Sequence, residues 1–137
     1  MINLTEQLKQ TGYDFDPNAT TATDIAWVDM TEFCSLLVAF IRTIGTSSLT
    51  FIVQGSASSD GSGPVLVKTI TMAAQPDAVG DIVFGEIDTN DIMNAGTDLR
   101  YVSAVLTVGT ATDEGVVVYT LGNAKHEKLA LTADIVA

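Results

Sequence analysis

The feature that most constrains this chain is the cadence from Phe33 to Leu121, where β-prone runs alternate with short turn signals. The runs are Phe33–Ile41, Leu49–Gly55, Val65–Met72, Ile82–Ile87, Tyr101–Val108 and Val116–Leu121, each crowded with Val, Ile, Leu, Thr or aromatic residues. Between them lie Gly45-Thr-Ser-Ser48, Ser58-Ser-Asp-Gly-Ser-Gly63, Gln75-Pro-Asp77 and Thr112-Asp-Glu-Gly115. Branched and aromatic side chains fit a pleated, half-buried surface, whereas Gly, Pro, Asp and Ser supply turn conformations. Short strands at this spacing specify an all-β, antiparallel β-sandwich, with a jelly roll as the candidate topology.

The strand from Phe33 to Arg42 adds a second constraint. Phe33, Leu37, Ala39 and Ile41 fall on one face and Cys34, Leu36, Val38 and Phe40 on the other, so both faces are apolar. A strand of that kind belongs to a sheet covered on both sides, and in an antiparallel sandwich the second cover often comes from another chain. Charge points the same way. Only 17% of the 137 residues are charged, so little polar surface is on offer, and an oligomer interface, or docking on a larger assembly, would absorb the excess apolar surface. With 17 acidic residues against 6 basic ones the net charge is −11, which excludes the counterion-releasing Lys and Arg surface that binds nucleic acid. The apolar run Leu36–Ile41 is far short of the roughly 20 residues that cross a bilayer. Met1–Leu8 has neither a basic start nor a long apolar stretch, and we expect a protein made in the cytoplasm, with no membrane partner.

Three parts are expected along the chain: an N-terminal arm over residues 1–22, the sandwich over 23–121, and a C-terminal tail over 122–137. In the arm, Asn3-Leu-Thr-Glu6 is compatible with a capped helix start, and the polar stretch Tyr13–Thr23 follows. Its apolar residues Ile2, Leu4, Leu8, Tyr13 and Phe15 need a surface to lie on, either the parent sandwich or a neighbouring subunit, and they are the candidate contacts with such a subunit. Trp27, in the expected first strand Ile25–Met30, is the remaining candidate: a buried anchor, or an aromatic anchor in an interface. Asp88-Thr-Asn-Asp-Ile-Met-Asn-Ala-Gly96 specifies a helical turn capped by Asp88 or Thr89 and ended near Gly96. The tail carries Leu129, Leu131, Ile135 and Val136.

No set of residues meets the geometry of a reaction or a metal. Asp14, Asp16 and Asn18 match the start of a calcium loop, but Ala19 stands where the loop needs Gly and Ile25 where it needs Glu. His126 is the single histidine and sits in the charged segment Lys125-His-Glu-Lys128, without a second ligand or a nucleophile beside it. Cys34 is the single cysteine, lies in an apolar run and is expected in the core. Gly61-Ser-Gly63 is too short to cradle a phosphate and is expected to form a hairpin turn. We expect no catalytic residue, cofactor or metal.

The succession of a Trp-bearing first strand, a two-sided apolar strand, Leu49-Thr-Phe-Ile-Val-Gln-Gly-Ser56, the turn Ser59-Asp-Gly-Ser-Gly63, the acidic turn Asp88-Thr-Asn-Asp-Ile92 and Leu99-Arg-Tyr-Val102 resembles small virion proteins of tailed bacteriophages. It is similar in particular to capsid decoration, or cement, proteins with a β-sandwich core, over roughly residues 25–121. The resemblance implies a non-enzymatic protein that clusters as a homotrimer on the outer capsid surface. It also implies that the major capsid protein is its partner. The alternatives are a tail-tube, neck or tail-terminator component of the same kind of virion, and a carbohydrate-binding module, which would need more exposed aromatic residues than this chain supplies.

Overall fold

In the computed structural model the described residues are 9–15 and 23–124. They form nine strands and one helix: β1 (Lys9–Phe15), β2 (Thr23–Asp24), β3 (Val28–Asp29), β4 (Phe33–Ile44), β5 (Leu49–Ser56), β6 (Val65–Thr69), β7 (Ile82–Asp88), α1 (Thr89–Ala95), β8 (Tyr101–Val108) and β9 (Glu114–Ala124). Sheet A has the order β1-β9-β4-β7. Sheet B has the order β2-β8-β5-β6, with β3 also paired to β8.

All pairings are antiparallel, and they nest. β5 pairs with β6, β4 with β7, β2 and β3 with β8, and β1 with β9, as if one long hairpin had been wrapped around a barrel. The wrap then brings β4 beside β9 and β5 beside β8. Two facing sheets produced in this way are a jelly roll, the topology expected from the sequence.

Alternation places the core between the sheets. Leu36, Val38 and Phe40 of β4 point inward with Val117, Tyr119 and Leu121 of β9, against Phe51, Val53, Ala104 and Leu106 of sheet B. The connection between β5 and β6 turns at Asp60, which accepts from the Ser62 amide at 3.0 Å, and at Gly61, which at φ +78° takes the left-handed conformation. Helix α1 begins with the expected cap: Asp91 N–H donates to Asp88 Oδ1 at 2.9 Å while Asp88 N–H donates to Asp91 Oδ2 at 3.0 Å, and Gly96 ends it.

Three sequence expectations are corrected here. Residues 9–15, assigned to an arm, form an edge strand of this chain's own sheet A, in unbroken register with β9 from Lys9 opposite Leu121 to Phe15 opposite Gly115. Of the expected strand Ile25–Met30 only β3 is strand, and Ile25–Trp27 separates it from β2, so period-two alternation does not run through the segment: Ile25, Val28 and Met30 are all buried while Asp29 is exposed. Cys34 is half-buried, whereas Phe33 and Leu36 on either side of the Cys34-Ser35 pair are both in the core.

Candidate assembly surfaces

At one end of the sandwich the loops 45–48, 70–81 and 109–113 converge on Arg42. This residue continues the inward row Leu36, Val38, Phe40 and is fully buried. Its guanidinium donates to Asp113 Oδ2 at 2.8 Å, to the Ser47 carbonyl at 2.6 Å and to the Pro76 carbonyl. Asp113 also accepts from the Ser47 amide at 3.0 Å and from the Ser47 hydroxyl. The Asp113 carboxylate is sealed by these loop atoms, not by depth in the core. Gly45, at φ +95°, has to be Gly, since any Cβ there would overlap that carboxylate.

Burial pushes the Asp113 pKa up, but the bonds from Ser47 and Arg42 outweigh it and hold the carboxyl below its usual 3.8. A carboxyl with a depressed folded pKa contributes stability that is complete above its unfolded value and is lost as pH falls through the folded one. The stability advantage of the wild type over Asp113→Asn should therefore shrink as the pH is lowered below about 4, which urea melts across that range will measure. The cluster binds loops together.

The outer face of sheet A is the larger surface. Register aligns Ile82 with Ile41 and Val116, Phe84 with Ala39 and Val118, and Glu86 with Leu37 and Thr120. Phe84 is 58% exposed and Ile82 50%, and Leu37 is also exposed, so the centre of this face is an apolar patch with Glu86 and Asp88 at one end. The two-sided apolar character of the Phe33–Arg42 strand is thus realised: one side is core and the other faces outward, uncovered by any described element.

A second opening lies at the end of the sandwich where β4 begins. It is a cleft of about 400 Å³ walled by Met30, Phe33, Ile92, Met93 and Leu99, with Thr31, Asp98 and Arg100 around it.

The sequence-derived candidates are distributed differently from these surfaces. Tyr13 turns inward and meets Tyr119 edge-on, ring centroids 5.6 Å apart, so the structure draws on it for the chain's own core. Trp27 is half-buried under the β5–β6 hairpin, its indole so close to Gly61 that no other residue fits there. Phe15 ends β1, whereas Ile2, Leu4, Leu8, Asp16, Asn18 and His126 lie outside the described residues. Among the described residues no three His, Cys, Asp or Glu side chains converge where a metal ion would bind, and no helix is long and apolar enough to cross a membrane. Sequence reasoning missed the Arg42 cluster, although a cation at an inward strand position is itself the signal for a buried acid.

No protein-family model matches this chain, and no curated protein does. Solved structures do resemble it. A protein of the Bacillus endospore appendages, described as a family of disulfide-linked pili, overlays with a TM-score of 0.50 at 16% identity, covering 85% of this chain and 88% of that one. The PBSX exported protein XepA overlays with a TM-score of 0.55 at 12% identity over 96% of this chain, which spans only 42% of XepA. The infectious bursal disease virus VP2 subviral particle overlays at 0.47 and 14% identity over 85% of this chain and 32% of that one. At such identities the first two overlays identify a shared fold alone, the all-β sandwich already derived from the strand pairing.

Proposed function

We propose that this chain is a non-enzymatic structural subunit that assembles with copies of itself, and that the assembly belongs to a virion, where the subunit decorates the outer capsid surface as a trimer bound to the major capsid protein. The observation that carries this reading is the exposed apolar face of sheet A around Phe84, Ile82 and Leu37. An uncharged patch on a chain of net charge −11 is a place where two copies meet without burying like charges. The fold shared with the protein of the disulfide-linked endospore pili supports a structural role. In this reading Ile2, Leu4 and Leu8 reach a neighbouring subunit, and a ring of subunits in place of a trimer would mark the tail or neck alternative.

Light scattering of the purified protein should give a small closed oligomer, three copies being expected. Phe84→Asp combined with Leu37→Asp should weaken that assembly by about 100-fold or more, from roughly 1.5 kcal/mol per lost apolar contact, while leaving the melting temperature of the subunit nearly unchanged. A monodisperse wild-type monomer that also fails to bind assembled capsid shells would overturn the proposal.

A further inference from the structure

The cleft beside Phe33 has its own occupant close at hand. In the register of sheet A, Phe33 pairs with Ala124, so the chain leaves β9 against the residue that forms one wall of the cleft. Residue 129 is then within roughly 18 Å of chain from Ala124, and the segment needs no long return path to reach Met93 on α1.

We propose that this cleft is the docking groove for residues 125–137 of the same chain, with Leu129, Leu131 and Ile135 as the side chains that fill it. Three observations converge. The cleft is apolar on the side of Met30, Phe33, Ile92 and Leu99, and Met93 stands 68% exposed at its edge, a large side chain with nothing described above it. The segment Leu129-Ala-Leu-Thr-Ala-Asp-Ile135 alternates, placing Leu129, Leu131, Ala133 and Ile135 on one side and Ala130, Thr132 and Asp134 on the other, the pattern of an extended strip with one apolar face. Lys125 and Lys128 precede that strip in a chain with only 6 Lys and Arg residues, and the cleft carries Asp98 in its wall, with Arg100 beyond Leu99. Tethering decides in favour of the same chain: a segment attached at the rim is present at an effective millimolar concentration, which a separate copy has to match by assembly.

The test uses the full chain in a Cys34→Ser background, with Met93→Cys paired in turn with Leu129→Cys, Leu131→Cys and Ile135→Cys. Mild oxidation should link at least one pair within a single chain, since a disulfide needs Cα atoms within about 7 Å, and the product should remain monomeric in reducing-agent-free denaturing gels. Covalent dimers would overturn the proposal in favour of a neighbouring copy as occupant, and no cross-link at any of the three positions would overturn it outright. A second measurement leaves Met93 in place. Peroxide should oxidise Met93 several-fold faster in Leu129→Asp/Leu131→Asp than in the wild type, because the groove is then open. Equal rates would mean that this segment never covers it.

Discussion

Replacing Asp113 with Ala should destabilise the fold by about 3 kcal/mol, the lower end of what is lost when one partner of a buried ion pair is removed. For a chain of this size that is a fall of roughly 10 °C in melting temperature, visible in a thermal melt. The reason is asymmetric. Arg42 has no exposed side-chain surface, and without Asp113 its charge keeps only carbonyl partners while the Ser47 amide loses its acceptor. Three loops are affected together, because Arg42 also fixes the backbone of the 70–81 connection: its amide donates to the Asp81 carbonyl at 3.0 Å and its carbonyl accepts from Gly80 at 2.8 Å. Gly45→Ala should act in the same direction by pushing the carboxylate away. A melt of Asp113→Ala within a degree or two of the wild type would show that the cluster adds little.

Tyr119 carries the second large effect. Its ring is buried in sheet A against Tyr13, and its hydroxyl accepts from the Ala104 amide of sheet B at 2.7 Å. Tyr119→Phe keeps the ring but leaves a buried N–H without an acceptor, at a cost of about 1–3 kcal/mol. Tyr119→Ala removes the ring as well and should cost about 3–5 kcal/mol in total, with the cavity term included. Hydrogen exchange separates the two: the phenylalanine variant should lose protection chiefly around Ala104, whereas the alanine variant should also release the amides of β1, which lose the ring that Tyr13 packs on. Equal protection of β1 in both variants would mean that backbone pairing alone holds that strand.

The parts of the fold legible in the sequence were those in which one side chain type recurs at period two. Tyr101–Val108 shows how far that goes: its inward residues Val102, Ala104, Leu106 and Val108 are all buried, but Ser103 and Val105 on the opposite face are buried as well, which alternation alone does not announce. The capped helix was legible because its signal is local, Asp88 and Asp91 satisfying each other's amides. β1 was not. Lys9-Gln-Thr-Gly-Tyr-Asp-Phe15 has no β-rich signature, and it is a strand because β9, over one hundred residues later, offers it a free edge. The break at Ile25–Trp27 was hidden for a similar reason. Its hydrogen bonds go to side chains as well as to strands, with Ser103 Oγ donating to the Ile25 carbonyl at 2.6 Å. Of the assembly surface, the two-sided character of β4 was visible, but its neighbours on that face, Phe84 and Ile82, were set by pairing that no local pattern encodes.

The nested pairing of the strands also dictates an order of events in folding. β5 and β6 are joined by a short hairpin and close a small loop, β4 and β7 close a larger one around it, and β1 meets β9 only by bringing Lys9 to Leu121. Loop-closure entropy grows with each step, so the molecule should zip from its middle outward and fold on the slow, millisecond-to-second scale of topologies rich in distant contacts. β1 is then the last strand to dock and the first to leave. For as long as it is undocked, the edge of β9 is open to any strand that arrives before it, which makes the rate of that final closure, more than the depth of the core, what protects a newly made chain from pairing with the wrong copy.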